Sequence, residues 1–401
     1  MNVQTQTADD GVNCVAYFTP CDGFGIIRAM KPNNPFVTRG YRGPEYFCDR
    51  VAETGKIVSA LTNERNVTLM APRRYGKTGL VHNVFNSLPS DYATVYIDIY
   101  ATSNLQDFTQ MFANAVLGAL DSVADKALAA VGKFFKAIRP TVTPDGNGGV
   151  TFSFSVDKSS TEATLNGIFD YLASKNRRVV VAIDEFQQIL EYPEKGTEAL
   201  LRSRIQFLQN VGFIFAGSRH HIMGEMFTSP RRPFYQSTDI MSLDVISYDS
   251  YRKFAEGFFK EAGRDFSADA FAALYRRFDG VTWYVQSVLN RVWGDGGALS
   301  SEEVVSAAVG GLVEERALTF HDLLASQTDV GKTLLKAIAA EGKVAEITSG
   351  AFLSRHGIAA PSSARTALPN LIETDLVYRS AAGYMIYDYL FAEYLRSLPQ
   401  A

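Results

Sequence analysis

The residues best suited to chemistry fall in one run, Ala71-Pro72-Arg73-Arg74-Tyr75-Gly76-Lys77-Thr78. It matches the spacing G-x-x-x-x-G-K-[ST] except at its first position, where Ala71 replaces glycine. Backbone N–H groups at a helix start form a nest for a phosphate, and Gly76 lets that backbone come close. Lys77, expected on a solvent-facing loop, carries a positive charge toward the β- and γ-phosphates. Thr78 offers a hydroxyl to Mg²⁺. Pro72, Arg73, Arg74, Tyr75 and Gly79 complete the stretch expected around a nucleotide. Ala71 costs little provided its φ stays negative. A chance Gly-Lys-Thr is the competing explanation, and the strand–loop–helix context argues against it.

A second run, Val179-Val180-Val181-Ala182-Ile183, ends in Asp184-Glu185. Behind a phosphate loop, the first carboxylate holds the shell of a Mg²⁺ ion and the second orients and deprotonates the attacking water. Asp184 therefore joins Thr78 as a metal candidate, and Glu185 is the candidate general base. A third apolar run, 212–216, leads into Gly217-Ser218-Arg219. Ser218 fits two roles, a polar sensor beside the γ-phosphate or the N-cap of the next helix. ATP and Mg²⁺ are the expected cofactors. The five histidines are scattered without carboxylate or cysteine partners at ligand spacing, so no other metal is expected.

The elements that must hold these runs can be read from periodicity. Helices are predicted over 49–61, 76–87, 105–120, 123–138, 162–174 and 197–209. Strands are predicted over 67–70, 93–99, 179–183, 212–216 and 240–245. Residues 141–156 alternate around Pro144-Asp145-Gly146-Asn147-Gly148-Gly149, which predicts an inserted β-hairpin. Apolar strands alternating with helices imply a parallel α/β sheet covered on both faces. A strand between the phosphate loop and the acidic run separates this chain from kinase-like and GTPase arrangements. The predicted organisation is an irregular segment over 1–45, an α/β nucleotide domain over 46–247, a helical lid over 248–325 and a winged helix over 326–401.

Composition sets wider bounds. The chain has 401 residues, 39 basic and 43 acidic, a net charge of −4. That balance gives no global pull toward nucleic acid or an anionic membrane. Three cysteines are too few for a disulfide framework. Apolar runs fall far below the ~20 residues of a membrane span, so a cytoplasmic protein is expected.

With these residues in place, the chain resembles the AAA+/STAND-type P-loop ATPases known as archaeal-type ATPases. The resemblance covers about 34–398. It rests on Asn34-Pro35-Phe36, Phe47-Cys48-Asp49-Arg50 with Glu53, the phosphate loop, Ile183-Asp184-Glu185-Phe186-Gln187, Gly217-Ser218 and Pro233-Phe234-Tyr235. It implies an ASCE-type catalytic glutamate, slow ATP hydrolysis driving a conformational or assembly switch, and a segment from Asn34 to Glu53 packed near the adenine. Three features depart from the pattern: residues 1–30 and the hairpin over 141–156 have no counterpart in it, and two positions differ. Gln236 and Ser237 follow Tyr235 where relatives often carry arginine, leaving Arg232, Arg231 and Arg219 as candidates for the activating arginine. The lid helix begins Gly280-Val281-Thr282 without the usual proline. The rival reading is a nucleotide-gated binding or DNA-associated module with little hydrolysis, expected if no arginine reaches the γ-phosphate.

Residues 326–401 hold seven basic and seven acidic side chains, and the third helix carries one basic residue, Arg365. Phosphate neutralisation needs a basic face. A second copy or a partner protein is the favoured contact of this module, and DNA the less favoured one.

Overall fold

The structure is a computed structural model describing residues 32–120, 138–144, 150–380 and 383–399. It divides into two compact units, Met1–Ile246 and Ser247–Ala401.

The first unit is built on five parallel strands: β1 (Val67–Met70), β2 (Ala93–Asp98), β5 (Val179–Asp184), β6 (Val211–Gly217) and β7 (Asp239–Ser242). Their order across the sheet is β2-β5-β6-β1-β7. Parallel central strands lose both faces to helices, so they read as continuous apolar runs. β5 does so: Val179, Val181 and Ile183 enter one core, while Val180 and Ala182 enter the other. The first core is closed by α3 (Leu105–Leu120), α4 (Thr161–Ala173), α5 (Thr197–Ile205) and α6 (His220–Thr228), through residues such as Phe112, Ile168, Leu201 and Phe227. The second is closed by α1 (Val51–Thr62) and α2 (Lys77–Ser87), through Ile57, Leu61, Leu80 and Val84.

Three boundaries differ from the predicted ones by three residues or more. The helix expected to reach residue 209 ends at Ile205, because Phe207 and Leu208 tighten to i→i−3 bonds on Arg204 and Ile205. Asn210 then donates to the carbonyls of Leu172 and Lys175, fixing the entry to β6. The last strand stops at Ser242 because its partner β1 stops at Met70. The hairpin begins at Ile138, paired with Val156, so alternation continues back into the end of a predicted helix. Its strands are β3 (Ile138–Pro144) and β4 (Val150–Val156). The rest of the helix expected over 123–138, the segment 1–30 and the hairpin tip 145–149 lie outside the described residues.

The second unit is helical up to its end. Helices Tyr248–Glu261, Ala268–Arg277 and Asp329–Glu341 start on Ser247, Ser267 and Thr328, whose side chains each accept a backbone N–H of the first turn. Such caps satisfy donors that the helix itself leaves free. Helices Gly350–Arg355 and Pro361–Glu373 precede an antiparallel hairpin, β8 (Val377–Ser380) with β9 (Gly383–Ile386), and a last helix Tyr389–Ser397 capped by Asp388. Among the described residues no helix is long and apolar enough to cross a membrane.

Candidate nucleotide site

The lysine, hydroxyl and carboxylate candidates of the first unit lie at or just beyond the carboxyl ends of parallel strands, the place where open α/β sheets bind ligands. Between β1 and α2, Ala71 is fully buried and donates its N–H to the Gly217 carbonyl. Its φ is not positive, so the missing glycine leaves no strain there. Arg74 (φ 73°) and Gly76 (φ 90°) take left-handed backbone and turn the loop into the first turn of α2. Alternation of this kind aims successive N–H groups into one concavity.

Lys77 does not face solvent as expected. It is 7% exposed, and its Nζ donates to the carbonyls of Ala71 (2.9 Å) and Pro72 (3.4 Å). Burial lowers its pKa, opposed by Asp184 and Glu185. The ammonium thus spans the loop it belongs to. A Cβ on Gly79 would sit 3.1 Å from the Phe47 ring, so this glycine admits Phe47 against the helix. Arg73 stands over the Tyr100 ring at 5.1 Å.

Across the gap, Thr78 Oγ1 donates to Asp184 Oδ2 at 2.8 Å, and Tyr96 OH donates to the same oxygen at 2.8 Å. The Glu185 N–H donates to Asp184 Oδ1 at 3.0 Å. A hydroxyl beside a carboxylate is an all-oxygen donor pair, which suits Mg²⁺ held by one or two protein oxygens, phosphates and water. Glu185 itself has φ 55°. Its Oε2 accepts from Ser218 Oγ (2.6 Å) and Gln187 Nε2 (2.5 Å). Burial pushes the Glu185 pKa up, but these donors and the charge of Lys77 outweigh it and leave the carboxyl below its usual value. Ser218 is not a helix cap, since the N-cap of α6 is Arg219; its hydroxyl serves Glu185.

The arginine candidates are placed elsewhere. Arg232 is ion-paired with buried Glu198 at 3.1 Å, and Arg219 with Glu191 at 3.0 Å. Arg231 is exposed.

Sequence reasoning missed Tyr96 and Gln187. Tyr96 reads as one more residue of an alternating strand, and its partner Asp184 is 88 positions away. Gln187 stood within the motif but without a role.

His82 lies one turn beyond Thr78, its ring 4.8 Å from that of Tyr96 and stacked toward Tyr41 at 6.3 Å. Burial lowers its pKa to about 4 from 6.5. The unfolded chain therefore binds the extra proton between those values, and stability falls as pH drops through that window. By pH 5 the loss from this group is about 2 kcal/mol. In urea melts, His82→Phe should narrow the stability difference between pH 7 and pH 5 by that amount. Parallel pH profiles for the two proteins would refute the assignment.

This geometry defines the class: a P-loop nucleotide-binding fold whose acidic strand lies beyond an intervening strand. The chain belongs to the family described as an ATPase domain predominantly from Archaea, whose model matches residues 47–288. A second model, a probable winged helix domain, matches residues 318–397. Among solved structures, a Walker-type ATPase of Pyrococcus abyssi is similar at 16% identity and TM-score 0.62, covering 90% of this chain and 99% of that one. The ORC2 protein of Aeropyrum pernix, in ADPNP and ADP complexes, is similar at 15% identity and TM-score 0.52, with 86% and 92% covered. The ORC1 protein of the same organism, in complex with DNA, is similar at 14% identity and TM-score 0.51, with 92% and 97% covered. At such identities the likeness is one of fold. No curated protein sequence matches the chain.

Proposed function

We propose that the protein binds ATP with Mg²⁺ and hydrolyses it slowly, using the cycle as a conformational or assembly switch. The observation that carries this reading is the bond between Thr78 and Asp184, which brings together residues 106 positions apart. Lys77, now satisfied by its own loop, transfers its donors to the β- and γ-phosphates. Thr78 and Asp184 hold the cation, whose charge offsets that of the phosphates. Glu185 orients a water and accepts its proton, with Ser218 beside it as the polar sensor. Ser218 and Gln187 both donate to Oε2 of Glu185, which fixes the carboxylate and lowers its basicity, and that supports slow turnover. Arg232 can serve the γ-phosphate only by leaving Glu198, whereas Arg231 is exposed and Arg219 is held by an exposed ion pair.

For the second unit, protein docking is favoured over DNA. In the winged-helix region Lys332, Lys343, Arg355 and Arg396 each face a carboxylate, Asp329, Asp279, Glu341 and Glu393, at 3.5, 2.8, 3.2 and 2.7 Å. Basic groups neutralised in this way offer little to a phosphate backbone.

A melting series with ATP, with and without Mg²⁺, tests the reading alongside phosphate release. Ligand at 100 times its Kd should add about 2.7 kcal/mol of stability. No Mg²⁺-dependent stabilisation at any ATP concentration would sink it.

A further inference from the structure

Asp184 is held at both oxygens. Oδ1 accepts the Glu185 N–H, and Oδ2 accepts two hydroxyls, those of Thr78 and Tyr96. These two donors differ in what they are free to do. Thr78 is exposed, at the start of α2, and is the hydroxyl suited to a cation. Tyr96 is tied into the fold. Its ring lies against His82, His82 stacks toward Tyr41, and Tyr41 OH donates to Asn83 Oδ1 at 2.8 Å. Asn83 in turn donates to Thr54 Oγ1 at 3.0 Å. The phenol is thus anchored through α2 to α1 and to the segment that precedes α1. When the Thr78 hydroxyl turns to a cation, Oδ2 keeps only its second donor.

We propose that Tyr96 is a positioning residue that holds Asp184 Oδ2 in place for the Mg²⁺ of the nucleotide. This rests on the reading of Thr78 and Asp184 as the cation's protein ligands. Outer partners of this kind commonly set metal affinity by about 10–100-fold, because an unsupported carboxylate must be ordered as the metal binds.

The test is Tyr96→Phe in the full chain, which keeps the ring against His82 and removes one hydroxyl. A fluorescent ATP analogue is titrated in EDTA and then across a Mg²⁺ series, with Asp184→Asn beside it. The expected result is unchanged analogue affinity in EDTA and a Mg²⁺ midpoint raised by about tenfold. Mn²⁺ binding followed by electron paramagnetic resonance should shift in the same sense. Tyr96→Leu should shift the Mg²⁺ midpoint at least as far. Equal midpoints for wild type and Tyr96→Phe overturn the proposal. So does an equal loss of affinity with and without Mg²⁺, which assigns Tyr96 to packing alone. If Asp184→Asn also leaves the Mg²⁺ midpoint unchanged, the reading of the cation site fails and the proposal falls with it.

Discussion

Glu185→Gln should cut phosphate release by roughly 10²–10⁴-fold, the range a positioned general base supplies, while ATP·Mg²⁺ still binds. The substitution is close to isosteric, and the site can absorb the new amide. Ser218 Oγ can still donate to its carbonyl oxygen. Gln187 Nε2 can donate to that same oxygen, so a carbonyl standing at the Oε2 position keeps both bonds. Lys77, Thr78 and Asp184 remain to hold the nucleotide. Single-turnover hydrolysis and a binding titration on the same protein decide the matter. Turnover equal to wild type removes Glu185 from the mechanism. If wild type shows no turnover at concentrations that allow assembly, the gated binding module becomes the better description.

Lys77→Ala should weaken ATP binding by about 10²-fold or more. Bonds to charged groups contribute roughly 1.5–3 kcal/mol each, and Lys77 is placed to make at least two to phosphate oxygens. The folded protein should survive the change. The ammonium is buried and its pKa is lowered by that burial, so its removal relieves a desolvation cost even as two carbonyls lose their donor. A melting point within a few degrees of wild type, with no upward shift on adding ATP·Mg²⁺, is the expected pair of results. A mutant stabilised by nucleotide as much as wild type would exclude Lys77 as a phosphate ligand.

How far the chain could be read beforehand depended on whether the signal was local. β5 was legible because a strand buried on both faces must be apolar throughout, and α2 because Gly76-Lys77-Thr78 opens it. Thr78 and Asp184 could be brought together in advance because a Gly-Lys-Thr loop and an acidic strand end follow one another in that order, and the structure joins them by a hydrogen bond. The burial of Lys77 has no local signal: its acceptors, Ala71 and Pro72, are backbone carbonyls and leave no trace in residue types. Ser218 stayed ambiguous, since serine serves equally as a cap, and only its 2.6 Å bond to Glu185 separates the roles. Arg232 resembles a free cation in the sequence; its partner Glu198 belongs to a helix whose facing could not be known without the tertiary packing.

The strand order carries a consequence for how the chain is made. β1 lies between β6 and β7, with Val67 beside Ile214 on one side and Asp239 on the other. On the ribosome, the phosphate-loop strand therefore emerges long before either neighbour exists. Pairings this remote in sequence form slowly, and an apolar strand waiting for them is open to wrong partners. The binding cradle cannot close until β6 has been synthesised and inserted, because Ala71 is tied to Gly217. Truncated chains ending before that strand would carry the whole Gly-Lys-Thr signature and still fail to retain nucleotide, and they would depend on chaperones to stay unaggregated.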